Sequence, residues 1–278
     1  MAGMLYLVAT PIGNMEDMTY RAVRILGEVD LIACEDTRTS RKLLDHFDIK
    51  TPTTSYHEFN KIEKAQVLLS KLRDGADIAV ITDAGTPGIS DPGEELVRMC
   101  YEDGIEVTSV PGATASVVAV TSSGQPCRRF AFEAFLPRDK KERRLILEEL
   151  VTETRTIVLY EAPHHLRGTL KELLDALGDR SVTLCRELTK KFEEHQKTTL
   201  SEALSYYEEK EPRGEYVLVI APKPREELKE EEIKRWEALS VQEHMDLYLG
   251  EGMDKKSAMK AVAKDRGLSK RDVYQALL

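Results

Sequence analysis

Along the first 110 positions the spacing of apolar residues changes repeatedly. Short apolar runs at 4–10 (MLYLVAT), 30–34 (DLIAC), 53–56 (TTSY), 77–82 (DIAVIT) and 105–110 (IEVTSV) read as strands. Between them, at 19–27, 40–47, 62–74 and 94–103, apolar residues recur every three or four positions, as on one face of a helix. Thr19 is placed to cap the first helix, and Gly75 follows the end of the third. Strands alternating with helices predict a parallel sheet.

Pro111-Gly-Ala-Thr114 interrupts this rhythm, and the small apolar residues at 115–122 predict a tightly packed helix. Beyond it, strands at 130–135, 156–160, 181–185 and 215–221 accompany helices at 141–150 and 166–177. More strands per helix predict a mixed sheet. From Pro222 the character changes again. A charge run at 226–235 reads as a solvated helix. Helices follow at 241–249, 255–265 and 270–278, the last two separated by the turn Gly267-Leu-Ser269. The expected organisation is an α/β domain over 1–112, a second α/β domain over 113–224, and a small helix-turn-helix-like extension over 225–278.

Composition narrows the picture. A chain of 278 residues with 41% hydrophobic and 32% charged positions has room for two domains, each with a core. No apolar run reaches the roughly 18 residues of a membrane helix. The first residues lack a basic leader, so no signal peptide is expected and the cytoplasm is the expected compartment. Cys34, Cys100, Cys127 and Cys185 are widely spaced and read as small buried apolar residues. The net charge of −9 argues against indiscriminate nucleic-acid binding.

The candidate chemistry lies in loops that follow strands. Thr82-Asp-Ala-Gly-Thr-Pro-Gly-Ile-Ser-Asp-Pro-Gly93 holds three glycines and two prolines between a strand and a helix. Such a loop exposes backbone amides beside a helix N-terminus and suits a ligand with an anionic end. Ala9-Thr-Pro-Ile-Gly-Asn14 follows the first strand without the glycine fingerprint of a dinucleotide loop. Glu35, Asp36 and Arg38 follow the second strand, where Asp36 or Thr37 could equally cap a helix, and His57 follows the third. Pro111-Gly-Ala-Thr-Ala-Ser116 opens one more helix at the same sheet edge. Tyr160-Glu-Ala-Pro-His-His165 and Arg186–Glu194 are candidates in the second region, the latter equally readable as a solvated face. No metal-ligand spacing, Walker loop, kinase set or nucleophile elbow stands out.

Taken in order, LYLVATPIGN, ACEDTRTS, SYHEFN, ITDAGTPGISDPG, PGATAS, FEAFLPR, YEAPHHL and RELTKKFEE resemble one family. It is the ribosomal RNA small subunit methyltransferase I family, a branch of the tetrapyrrole methylase superfamily. The resemblance covers about residues 4–222. It implies two α/β domains with S-adenosylmethionine in the cleft between them, usually in a homodimer. The implied reaction is methylation of a cytidine ribose 2′-oxygen in the decoding region of 16S rRNA, with the 30S subunit as partner and no membrane.

The resemblance carries cofactor contacts onto Pro11, Asp83, Ala84, Gly85, Thr86, Ile89, Thr114 and Ala115, with one more at Tyr160 or Glu161. Thr86 stands where the wider superfamily has Asp, so only a backbone role is implied there. Phe59 replaces a frequent His, and His165 a frequent Arg. Glu35, Asp36 and His57 are candidates for a general base. Arg38, Lys190, Lys255, Lys256, Lys270 and Arg271 are candidates for RNA contact. Two readings compete: a methylase acting on a tetrapyrrole macrocycle, and a ligand-sensing helix-turn-helix regulator.

Overall fold

The computed structural model describes residues 2–278, apart from the side chains of 232, 235 and 237. The chain begins with β1 (Leu5–Val8), α1 (Tyr20–Glu28), β2 (Leu31–Cys34), α2 (Thr37–His46), β3 (Thr53–Ser55), α3 (Lys61–Arg73), β4 (Ile78–Ile81), α4 (Glu94–Glu102) and β5 (Val107–Val110). The strands form a sheet in the order β3-β2-β4-β1-β5, and every neighbouring pair is parallel.

Alternation along the strands feeds two cores, one per face. Leu5, Ile78 and Val80 pack with Leu68 and Leu72 of α3 and with Leu96 and Cys100 of α4. Val8, Ala79 and Ile81 point the other way, to Ala22 and Leu26 of α1 and Leu44 of α2. The connections β1-β2-β3 step toward one edge of the sheet, and β3-β4-β5 step back toward the other. Right-handed crossovers therefore put α1 and α2 on one face and α3 and α4 on the opposite face. β1 and β4 are neighbours whose following loops leave toward opposite faces, so a crevice opens between their carboxyl ends.

The chain continues with α5 (Ala115–Ser122), β6 (Phe130–Phe132), α6 (Lys140–Leu150), β7 (Thr156–Glu161), α7 (Leu166–Leu177), β8 (Ser181–Arg186), β9 (Glu194–Thr199), α8 (Leu200–Glu209) and β10 (Tyr216–Ile220). The second sheet runs β6-β7-β10-β8-β9, with β6 and β7 parallel and the other pairs antiparallel. On one of its faces Val158, Cys185 and Val217 pack with Ala119 and Val120 of α5 and with Ile12 from the loop after β1. The two sheets lie in one compact unit, residues 1–148 and 156–221.

A second unit combines residues 149–155 with 222–278. It holds α9 (Arg225–Glu237), α10 (Val241–Gly250), α11 (Lys255–Asp265) and α12 (Lys270–Ala276) around a small core of Met245, Ala258, Val262, Ala263 and Val273. Ser240, Asp254 and Ser269 cap the last three helices with their side chains. Among the described residues no helix is long and apolar enough to cross a membrane.

Two elements escape the apolar pattern. β9 reads EHQKTT and is an edge strand, so no face of it carries an apolar series. α8 follows directly, opened by the Thr199 hydroxyl accepting from the Glu202 amide. One cysteine departs from expectation: Cys34, Cys100 and Cys185 are buried, but Cys127 is exposed in the segment between α5 and β6.

Candidate active site

A cavity of about 460 Å³ opens at the crevice beyond β1 and β4 and is walled on its far side by the second sheet. That volume suits a nucleoside-sized ligand. The loop after β4 supplies Asp83, Ala84, Gly85, Thr86, Ile89, Ser90 and Asp91, and the end of β2 supplies Glu35. The N-terminus of α5 contributes Thr114 and Ala115. From the second sheet come Phe135, Tyr160, Glu161, Cys185, Leu188, Lys190, Glu215 and Val217.

Local sequence explains how the loop holds its shape. Gly85 has φ +92°, a region that L side chains resist, and forms a bridge to Thr10. Its amide donates to the Thr10 carbonyl at 3.1 Å, and the Thr10 amide donates to the Gly85 carbonyl at 2.9 Å. The loops after β1 and β4 are thereby fastened across the crevice. The Thr86 hydroxyl lies 3.1 Å from the Ala113 carbonyl and 2.7 Å from the Thr114 hydroxyl, which fastens the β4 loop to the start of α5. Thr114 makes no side-chain cap; instead the Tyr160 hydroxyl accepts from the Ser116 amide at 3.0 Å. The Tyr160 ring is set edge-on against Phe132 and Phe135, at 4.8 and 5.6 Å between centroids. Among the described residues the amides of Ala84, Thr86 and Ala115 find no acceptor in the chain.

The sequence-predicted residues divide. Glu35, Asp83, Ala84, Gly85, Thr86, Ile89, Thr114, Ala115, Tyr160, Glu161 and Lys190 all line the cavity, while Pro11, Asp36 and His57 do not. Pro11 is buried within its loop. Asp36 caps α2, accepting from the Arg38 amide at 2.7 Å, and pairs with the Arg38 guanidinium at 3.2 Å. Those bonds hold its carboxyl below the usual range, which makes it a poor base. Arg38 is almost fully exposed apart from that pair.

The His57 amide donates to Asn60 Oδ1 at 2.8 Å, and its buried Nδ1 has no hydrogen-bond partner. Glu161 is buried, accepting from the Ala162 amide at 2.8 Å and from the Thr169 hydroxyl. Lys190 is shared by Glu187 and Glu215, at 2.9 and 2.8 Å. Gly13 leaves room for it, since a Cβ there would sit 2.4 Å from Lys190 Cγ.

Sequence reading passed over Asp91, which stands in the same loop as the predicted contacts. It also passed over the apolar wall of Ile12, Leu188 and Val217. The signal for Asp91 was present in TPGISDPG, but nothing local shows that residue 91 turns back to the cavity while Ser90 adopts φ +65°. The open amides keep the glycine-loop expectation of an anionic ligand end, but the side chains around them are acidic. Among the described residues the cavity lining carries the carboxylates of Glu35, Asp83, Asp91, Glu161 and Glu215 against one lysine, Lys190, that is already paired. Such a wall favours a positive centre and opposes a phosphate. Burial pushes Glu35 upward, helped by the Asp83 carboxylate, and burial with Asp36 nearby does the same to Asp83. Among the described residues no cluster of three or more His, Cys, Asp or Glu side chains is arranged to hold a metal ion.

Relatives identify this architecture. Residues 4–204 match the family model of tetrapyrrole (corrin/porphyrin) methylases. Solved structures agree on the fold. A uroporphyrin-III C-methyltransferase from Thermus thermophilus superposes with TM-score 0.56 at 22% identity, covering 78% of this chain and 94% of that one. A diphthine synthase superposes with TM-score 0.60 at 12% identity, covering 78% and 89%.

Closer relatives are each called ribosomal RNA small subunit methyltransferase I. That of Halalkalibacterium halodurans is 49% identical over 98% of this chain and 93% of its own, and that of Bacillus subtilis 46% over 99% and 94%. That of Thermotoga maritima is 47% identical over 99% of its length but only 80% of this chain. The chain belongs to the ribosomal RNA small subunit methyltransferase I family, within the tetrapyrrole methylases.

Proposed function

We propose that this chain transfers a methyl group from S-adenosylmethionine to the ribose 2′-oxygen of a cytidine in the decoding region of 16S rRNA, acting on the 30S subunit as a homodimer. Near full-length similarity to relatives named as methyltransferases of small-subunit rRNA carries this reading. The cavity supports it. S-adenosylmethionine combines an apolar and stacking nucleoside, a sulfonium cation and an amino-acid end. The wall offers Ile12, Leu188, Val217 and Phe135 for the first, carboxylates for the second, and the open amides of Thr86 and Ala115 for an anionic end.

When bound, S-adenosylmethionine supplies a methyl group that is already activated. The protein's share is to bind, orient and exclude water. The Thr10–Gly85 bridge and the Thr86–Thr114 contact hold three loops in fixed relation, so the acceptor meets one geometry. Orientation of this kind contributes up to roughly 7–11 kcal/mol in well-aligned reactions.

Selection of one nucleotide by sequence favours an unstacked, single-stranded segment of RNA, because the deep, narrow major groove of A-form RNA keeps base edges from side chains. The helical unit offers charge for that partner. Lys255 and Lys256 open α11, Lys270 and Arg271 open α12, and all four are exposed without an ion pair among the described residues. Cations in the first turn of a helix oppose its dipole, a local cost that phosphate contact would offset. Phe59 and Ile62 are 97% and 69% exposed at the start of α3, apolar surface of the kind that association covers.

The same fold serves macrocycle methylation in its distant structural neighbours, so a tetrapyrrole is the alternative acceptor. Incubating the protein with methyl-labelled S-adenosylmethionine and 30S subunits, naked 16S rRNA, a precorrin or no acceptor separates the readings. Label confined to RNA supports the proposal, and label in the precorrin overturns it.

A further inference from the structure

Asp91 differs from every other carboxylate at the cavity. Glu35 accepts from the Asp83 amide at 3.5 Å, Asp83 from the Asp36 amide at 3.3 Å, and Glu215 binds Lys190. Glu161 is held by Thr169 and by the Ala162 amide. Asp91 lines the cavity, is only partly exposed, and has no hydrogen-bond or ion-pair partner among the described residues. It stands one residue after Ser90 at φ +65° and two before Gly93 at φ +155°, in the loop that carries Gly85, Thr86 and Ile89. A half-buried carboxylate that no protein group binds, set in the wall of a reaction cavity, is open to a ligand.

The reading that follows rests on the proposed methyl transfer. We infer that the Asp91 carboxylate takes the proton of the acceptor hydroxyl and is the general base of the reaction. The hydroxyl oxygen forms a bond to the methyl carbon, and the carbon–sulfur bond breaks with its electron pair going to sulfur. The O–H proton passes to Asp91 and then to water, so cation, proton and methyl balance.

Asp91 suits the task because its surroundings disfavour the charge. Burial, with the Glu35 and Asp83 carboxylates facing it, raises its pKa from 3.8 to about 7. Glu161 and Glu215 face the same cavity from the second sheet, and Lys190 is already paired there. A base poised near neutral pH matches the working pH. A sulfonium entering this acidic cavity favours the ionised form, so cofactor binding and loss of the Asp91 proton are linked.

The test combines binding and turnover in the full-length protein. Calorimetric titration with S-adenosylmethionine near pH 7, in two buffers of different ionisation enthalpy, should show release of about half a proton per cofactor bound in the wild type. Asp91→Asn should bind S-adenosylhomocysteine, which shows that it is folded. It should release far fewer protons on binding S-adenosylmethionine and turn over at least about 100-fold more slowly. Asp91→Glu should recover part of that rate. The wild-type rate should fall below about pH 7 as one group is protonated, and Asp91→Asn should lose that limb.

If Asp91→Asn releases as many protons as the wild type, or keeps its rate within about tenfold, the assignment to Asp91 is wrong while the reading of the cavity stands. If the wild type binds no S-adenosylmethionine, or binds it and methylates nothing, the reading of the cavity falls and takes the base with it.

Discussion

Asp91 should also be visible in the free protein as a stability cost. Its folded-state pKa is raised above its ordinary value, so the folded chain holds that proton more tightly than the unfolded chain does. The contribution of the group is therefore most favourable at low pH and is lost as pH rises through about 7. Asp91→Asn, measured without ligand, should raise the melting temperature at pH 8 by a few degrees and by clearly less at pH 5. An equal shift at both would mean that the carboxyl is not raised. Thr86 tests the loop fastening. Thr86→Val keeps the volume but removes the hydroxyl that reaches the Ala113 carbonyl and Thr114. A loss of about 1 kcal/mol in stability is expected by thermal unfolding, with weaker binding of S-adenosylhomocysteine by calorimetry. At this scale the sequence was partly legible. Glycine and proline marked the loop, and Glu35 could be placed from its position after a strand. Two residues from the same reading turned elsewhere: Asp36 became a helix cap, and His57 kept to the β3–α3 connection outside the cavity. Side-chain direction at a strand end depends on one or two dihedrals, which spacing does not encode.

At the scale of elements, α5 shows how the two sheets cooperate. Its amides open onto the cavity, yet its cap is a tyrosine that arrives from β7. Tyr160→Phe removes the hydroxyl acceptor of the Ser116 amide while keeping the ring against Phe132 and Phe135. Binding of S-adenosylhomocysteine should weaken several-fold, and thermal stability should fall by about 1 kcal/mol. Unchanged binding would show that the start of α5 does not depend on that bond. The three central strands of the first sheet, β1, β2 and β4, were plain in the sequence because helices cover both faces, so their runs are continuously apolar. β9 was not, because an edge strand beside solvent needs no apolar face. The cavity itself needed the order β3-β2-β4-β1-β5, which makes β1 and β4 neighbours with diverging loops, and spacing along the chain does not encode strand order.

The whole molecule pairs a compact α/β unit with a helical unit that has its own core. The Thermotoga maritima relative is matched over 99% of its own length but over only 80% of this chain. Removing 225–278 should leave S-adenosylhomocysteine binding intact in calorimetry, while the KM for 30S subunits rises and its salt dependence weakens. Unchanged KM and salt dependence would remove RNA contact from the helical unit. The overall charge of −9 would suit such a division, with basic residues gathered at the starts of α11 and α12 in a chain that is acidic overall.

The most direct test of the central claim is the identity of the methylated atom. Wild-type protein, S-adenosylmethionine and 30S subunits lacking the modification should be incubated, and the rRNA digested to nucleosides and mapped by mass spectrometry. The account predicts 2′-O-methylcytidine at one position in the decoding region of 16S rRNA, and none with Asp91→Asn on the same time scale. A methyl group on a base, at a different nucleoside, or only on a tetrapyrrole acceptor would contradict it.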